Sequence, residues 1–384
     1  MALQQNVIIF STAYLPMIGG AELAVQELTR RMPDIGFFLI TARFNRKFPR
    51  FEKIDAVEVY RVGIGHPFLD KLFSPFLGAL LARRLMKRHH ITCFWSIMVS
   101  FTSLAPFILK VFSLHRQVPI LLTIQEGDSD KHIQYGRLGL ISFWWRIALR
   151  YADHVQVISS YLADMARKYG YKKEISIIPN GVDLEKFKVE SSKLNGSQKT
   201  DKIVVTVSRL VEKNGVDTLL RAIEIVKKKI PSVRCIVIGD GPLRKKLEDL
   251  SKDLKIQDNL IFAGTVSFED IPKHLGGADL FVRASRSEGL GTAFLEAMAS
   301  GLPVIGTQVG GIPDFLKDPS THPGQATGLF CEVGNPEDIA AKINRILTDN
   351  DLRNRLILNG RKLVEEKYTW GKIAAEFKKI YDSI

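Results

Sequence analysis

Short apolar runs rich in β-branched residues alternate with longer stretches of helical periodicity along this chain, and that alternation most restricts its fold. A strand period followed by a helix period, repeated, is the pattern of parallel sheets joined by crossover helices. Strands are predicted at NVIIFS, FFLIT, VEVYRV, TCFWSI, PILLTIQ, HVQVIS and ISIIPN in the first half, and at IVVTVS, CIVIGD, LIFAGT, DLFVRAS and PVIGT in the second. Helices are predicted between them, among them Val216–Lys229 and residues 243–252. At 384 residues the chain exceeds what one core ordinarily holds. The expected fold class is α/β, with two doubly wound domains facing each other across a cleft. Ligands of such sheets bind beyond the carboxyl ends of the strands.

The first strand set breaks at Pro179-Asn180-Gly181. Residues 191–200, SSKLNGSQKT, are predominantly polar and read as a linker. This places an N-terminal domain over 1–190 and a C-terminal domain over 201–368. The last segment starts at Thr369, a fitting N-cap, and carries apolar residues at helical spacing, so a final helix is expected over 369–384.

Hydrophobic residues make up 46% and charged residues 25%, the balance of a folded chain rather than a disordered one. Cys93, Cys235 and Cys331 are odd in number and scattered. They match neither a disulfide framework nor a zinc-ligand spacing, so a reducing compartment is expected. The start, MALQQNVIIFSTAYLP, lacks the basic region and cleavage site of a signal peptide and reads as a first strand, which predicts a cytoplasmic location. The formal charge is +13, with the larger excess of cations in residues 1–190. Such a surface attracts nucleic acid, anionic lipid or phosphorylated small molecules. Neither a paired-Cys finger nor an aromatic RNA-binding signature accompanies it, so no nucleic-acid partner is expected. Residues 91–109 run uncharged for the length of a membrane span. Pro106 and the polar Thr92, Ser96, Ser100, Thr102 and Ser103 within them predict instead a buried strand followed by a helix packed on a sheet.

The chemistry concentrates in residues 287–303, SEGLGTAFLEAMASGLP. This segment follows the strand DLFVRAS and opens a helix closed by Gly301, with Pro303 just beyond. Gly289 and Gly291 permit a tight turn, and the amides of residues 290–293 then form a helix N-terminus suited to an anion. Glu288 lies on the loop and Glu296 about one turn into the helix, placed to grip hydroxyls on either side of a phosphate group. Alone, both could equally be solvated charges around an ordinary turn. Arg209, however, follows IVVTVS at the carboxyl end of a central strand, with Lys213 four residues on. Two cations there suit a diphosphate, Arg as a bidentate fork and Lys as a point charge. Gly239-Asp240-Gly241-Pro242 makes a similar turn after CIVIGD.

Together these segments resemble the retaining glycosyltransferases of family 4, which have the GT-B architecture of two Rossmann-like domains. The resemblance rests on Glu288 and Glu296 eight residues apart, Ser208-Arg209-Leu210 with Lys213, Ile238 to Pro242, and Pro179 to Asp183. Gly310-Gly311-Ile312-Pro313 and Gly19-Gly20-Ala21-Glu22 fit as well, and the ordered set spans nearly the whole chain. The resemblance implies an acceptor-binding N-terminal domain, onto which the last helix crosses back, and a donor-binding C-terminal domain. It implies that Glu296 holds the nucleotide ribose, Glu288 the donor sugar, and Arg209 and Lys213 the departing diphosphate. Gly241, Gly289 and the amides of Leu290, Gly291 and Thr292 assist, with Val266 beside the nucleobase. Gly19 and Gly20 approach the phosphates from the N-terminal domain, and Glu22 lies near the acceptor. The implied donor is a UDP- or GDP-type nucleotide sugar, transferred with retention, with no cofactor and no metal. Asp128-Ser129-Asp130 has the spacing of a metal-binding pair but reads as a loop turn.

One departure concerns catalysis. Many family members place His after the strand that here reads PILLTI, where this chain has Gln125-Glu126-Gly127-Asp128. Gln hydrogen-bonds a sugar hydroxyl but does not titrate near neutral pH. Gln125 suffices if the donor phosphate serves as base. Otherwise Glu126 or Asp128 substitutes, or the chain is a catalytically silent sugar-nucleotide-binding protein. Glu126 is assigned with Glu22 to the acceptor. Residues 137–150 carry Trp144 and Trp145 with Arg137, Arg146 and Arg150, and a helix expected over residues 77–88 ends in Arg83, Arg84, Lys87 and Arg88. Aromatic rings flanked by Arg suit a membrane interface, so peripheral contact with an anionic inner membrane face is expected. With it comes a saccharide or lipid-linked acceptor of cell-surface polysaccharide or glycolipid synthesis; transfer to a soluble acceptor is the second reading. Oligomeric state is not legible in these features.

Overall fold

A computed structural model describes residues 5–17, 19–112, 117–188 and 201–384. Two compact units emerge, Met1–Asn180 with Trp370–Ile384, and Gly181–Thr369. Residues 191–200, read above as a linker, lie outside the described residues.

The first unit is built on eight strands: β1 (Asn6–Phe10), β2 (Gly36–Ala42), β3 (Phe51–Ile54), β4 (Val57–Val62), β5 (Cys93–Ile97), β6 (Ile120–Ile124), β7 (His154–Val157) and β8 (Ile175–Ile177). They form one sheet in the order β3-β4-β2-β1-β5-β6-β7-β8. Every neighbouring pair is parallel except β3 with β4. All residues of β5 and β6 are buried, as expected of parallel strands covered on both faces. The sequence reading missed β3, because FEKI has no apolar run and stays exposed or half-buried along its length. It forms through a tight turn at Asp55, at φ 51°, that folds it back antiparallel to β4 and makes it the edge of the sheet.

The C-terminal helix Trp370–Ser383 belongs to this first unit. Its Phe377 and Tyr381 rings meet Trp95 of β5 at 4.9 and 6.0 Å, and Lys378 pairs with Asp34. Phe377 is 1% exposed, so its truncation leaves a cavity under the helix. Phe377→Ala is expected to cost about 3–5 kcal/mol in urea unfolding of the first unit. A loss below about 1 kcal/mol would mean that this helix is not anchored by its aromatic face.

A long helix runs from Pro67 to Met86, beginning well before residue 77, where the sequence reading starts it. Buried Asp70 is the reason: its carboxylate accepts the N–H groups of Ile64, Gly65 and His66 at 2.8, 2.6 and 3.1 Å. Pro67 occupies the first turn, where no N–H is needed. Pro75 leaves the carbonyl of Lys71 without its helical donor, and the Ser74 hydroxyl donates to it at 3.0 Å. Residues 91–109 become β5, a 3₁₀ turn Thr102–Leu104 and most of the helix Ala105–Val111. Among the described residues no helix is long and apolar enough to cross a membrane.

The second unit carries β9 (Lys202–Val207), β10 (Val233–Ile238), β11 (Leu260–Gly264), β12 (Leu280–Arg283), β13 (Val304–Thr307) and β14 (Leu329–Cys331). They form a parallel sheet in the order β11-β10-β9-β12-β13-β14. The reading missed β14, whose three residues are too short to display a period. Helices Val216–Lys229 and Pro336–Thr348 pack their apolar faces on this sheet, and the helix expected at 243–252 is Arg244–Asp253. Succession reverses at β9, which lies between β10 and β12. The loops leaving β9 and β12 are thereby neighbours at the carboxyl edge, the usual ligand position in such sheets.

Candidate active site

Arg209 and Lys213 sit on the loop after β9, and Glu288 to Thr292 on the loop after β12. Backbone packing holds these loops together. A Cβ on Gly215, at φ +63°, would lie 1.8 Å from the carbonyl oxygen of Ala284. One on Gly310, at φ +55°, would lie 1.7 Å from that of Glu288. Only glycine permits both contacts.

Side chains then lock the two loops. Arg286 donates its amide to the Lys213 carbonyl at 2.7 Å and pairs its guanidinium with Asp217 at 2.7 Å. Asn214 donates to the Arg209 carbonyl at 2.7 Å and accepts from Arg283 Nη2 at 3.1 Å. The same Arg283 nitrogen reaches Glu288 Oε2 at 2.9 Å, to which Ser285 Oγ also lies at 3.2 Å. Glu288 is therefore oriented from two sides, in an ion pair largely shielded from water. Arg283, Asn214 and Arg286 were absent from the sequence reading. Within DLFVRAS, Arg283 looks like an outward strand residue, and nothing local marks it as Glu288's partner.

Glu296 is buried in the helix Thr292–Ala299, which starts from Gly291 at φ 93°. Burial pushes its carboxyl up to about 7, against the opposing pull of Arg283 and Lys186. No side-chain hydrogen bond satisfies it among the described residues. Arg209, by contrast, is exposed and has no ion pair among the described residues. The turn at Gly241 packs against this loop, since Leu210 donates to the Asp240 carbonyl and accepts from the Leu243 amide, both at 3.0 Å. Gly239 donates to the Gly264 carbonyl at 2.7 Å, which sets Val266 two residues beyond the end of β11. Gly241, Val266, Arg209, Lys213, Glu288, Gly289, Leu290, Gly291, Thr292 and Glu296 thus share one edge of one sheet.

In the first unit, Gly19 and Gly20 open the helix Gly20–Arg30 after β1. Burial raises the Glu22 carboxyl there, opposed by hydrogen bonds from its own amide and that of Gly19. Gln125 follows β6 and accepts from Asn180 Nδ2 at 3.2 Å. Glu126 is buried, and its two oxygens accept the amides of Val99 at 2.5 Å and Gln125 at 3.0 Å. Its carboxylate is spent on tying the β5 loop to the end of β6, while burial pushes it up to about 7. Asp130, of the pair with metal-like spacing, binds Lys168 and Tyr169 instead. The two adjacent tryptophans part company: Trp145 is 1% exposed in the core, whereas Trp144 is 42% exposed. A helix presents consecutive residues about 100° apart, and that step carries Trp145 into the core while Trp144 stays at the surface.

Two doubly wound units with anion-suited loops at a strand switch point are the GT-B glycosyltransferase architecture. The chain belongs to the family 4 glycosyltransferases: the model described as Glycosyltransferase Family 4 matches residues 18–186, and that described as Glycosyl transferases group 1 matches residues 187–363. It is a glycosyltransferase. Over 97% of its length it is 25% identical to a GDP-mannose-dependent alpha-(1-6)-phosphatidylinositol monomannoside mannosyltransferase of Mycobacterium tuberculosis, covering 96% of that protein. It is 26% identical, over 97% of its length and 80% of the relative, to the phosphatidylinositol N-acetylglucosaminyltransferase gpi3 subunit of Schizosaccharomyces pombe. Among solved structures, the sucrose-phosphate synthase of Thermosynechococcus elongatus shares the fold, with a TM-score of 0.85 at 21% identity and coverage of 99% and 98% of the two chains.

Proposed function

We propose that this enzyme moves a sugar from a UDP- or GDP-type nucleotide sugar to a lipid-linked acceptor, with retention of configuration and without a metal, at the surface of an anionic membrane. The observation that carries the donor half is Glu296: a buried carboxylate without a hydrogen-bond partner among the described residues, on the same sheet edge as the exposed cation Arg209. Burying such a group is unfavourable unless a ligand completes it. Ribose hydroxyls, donating to both oxygens, are suitable. Glu288, held by Arg283 and Ser285, accepts from hydroxyls of the donor sugar. Arg209 and Lys213 neutralise the diphosphate while the anomeric carbon–oxygen bond breaks, and the first amides of the helix Thr292–Ala299 add their partial charge. The acceptor oxygen bonds to the anomeric carbon on the face that the diphosphate leaves, and its proton passes to a departing phosphate oxygen. That route asks no titration of Gln125. The lipid acceptor is supported by the two relatives above, whose names specify phosphatidylinositol-based substrates.

A thermal-shift panel of nucleotide sugars tests the donor half. The cognate donor at a hundred times its Kd should stabilise the second unit by about 2.7 kcal/mol. A panel of UDP and GDP sugars that leaves the unfolding midpoint unmoved would overturn the assignment. Stabilisation without any transfer, to lipid or to soluble acceptors, would favour the silent binding protein that Gln125 raises.

A further inference from the structure

In the first unit, the helices Pro67–Met86, Ala105–Val111 and Leu140–Tyr151 leave between them a groove of about 680 Å³. Leu72, Phe76, Leu104, Ile108, Leu140 and Trp144 wall it, and Arg150 is the one charged side chain lining it among the described residues. One part of the wall is Val99 and Ser100, and the Val99 amide binds the Glu126 carboxylate that also holds the Gln125 amide. The groove therefore extends to the carboxyl edge of β5 and β6.

Its volume is that of a small-molecule site, but its walls lack the few convergent polar groups that a sugar or nucleotide needs. A peptide would bury backbone N–H and C=O groups there without partners. A hydrocarbon chain needs none. Outside the groove the apolar surface continues over Phe68, Phe73, Leu80 and Phe143, exposed by between 51% and 68%. Water-facing apolar area on this scale marks an interaction surface. The helix that carries three of these residues ends in exposed Arg83 and Arg84, followed by exposed Lys87 and Arg88. A second copy of the chain docked on this face would bring like charges together, whereas anionic lipid neutralises them.

We infer that this groove is an acyl-chain site, which takes the hydrocarbon chain of an anionic glycerolipid and leaves its headgroup at the Val99–Ser100 end, next to Gln125 and Glu126. This rests on the lipid-acceptor reading above and names the part of that acceptor the protein holds by its apolar end.

Trp144 is the reporter. Full-length protein is titrated with monomeric dioctanoyl phosphatidylglycerol, and with glycerol 1-phosphate as the headgroup alone. The lipid should produce a saturable change of tryptophan emission that is lost in Trp144→Phe and needs at least tenfold more lipid in Ile108→Glu. Glycerol 1-phosphate should produce none. Should Ile108→Glu unfold, Leu140→Glu, at a position 55% exposed, replaces it. The inference is overturned by any of four results: no saturable change, an equal response to the headgroup alone, an unaltered response in the folded variant, or a dimer at working concentration that covers Trp144. No donor enters the titration. A negative result thus removes the groove without touching the transferase reading, and a negative nucleotide-sugar panel does the reverse.

Discussion

Glu296→Ala abolishes donor-induced thermal stabilisation, an expected affinity loss of roughly a hundredfold or more, because each hydrogen bond to a buried charged group contributes about 1.5–3 kcal/mol. The ligand-free protein responds in the opposite direction. Burial holds the Glu296 carboxyl near 7, above its ordinary 4.5, so the folded state binds the proton more tightly than the unfolded state. Stability contributed by this group is then complete below pH 4.5 and falls as pH rises to about 7. Glu296→Gln should accordingly be more stable than wild type at pH 8, by up to roughly 3 kcal/mol, and equal to it near pH 4. Glu126 titrates in the same window, and comparison of Glu296→Gln with wild type cancels it. Since ribose hydroxyls favour the carboxylate, donor affinity should rise with pH through about 7 in wild type and stay flat in Glu296→Gln. A variant that binds donor like wild type, or that loses stability at pH 8, contradicts a carboxylate kept for a ligand.

Arg209→Ala is the second large effect, read in rate rather than in stability. The side chain is exposed and unpaired among the described residues, so unfolding should move by less than about 0.5 kcal/mol. Loss of a charge that stabilises the departing diphosphate should lower kcat by roughly 10²–10³-fold. Arg209→Lys should recover only part of it, because a point charge does not replace a bidentate fork. Wild-type kcat in Arg209→Ala would remove this residue from the reaction.

The contrast between Glu296 and Arg283 marks how far local pattern carries. The position of Glu296 is legible because its signal is local: a glycine turn, a helix start, and a carboxylate one turn in. Arg283 is not, because its partners, Asn214 and Glu288, come together only when β12 is laid beside β9. Likewise Trp144 and Trp145 read as a pair until the helix turned one into the core and the other into the groove wall.

Residue order alone specified two α/β sheets of parallel strands and placed the residues proposed to hold the donor's phosphates and hydroxyls at the turns after β9 and β12. Both follow from periods and turns that span a few positions and depend on no distant partner. Tertiary structure alone decided that β3 runs antiparallel along an edge, that Arg283 steadies Glu288, that Glu126 is spent on backbone amides, and that three helices part to form a greasy channel. Each of these depends on which segments strand order and helix packing bring into contact, and residues far apart in the chain carry no local mark of that meeting.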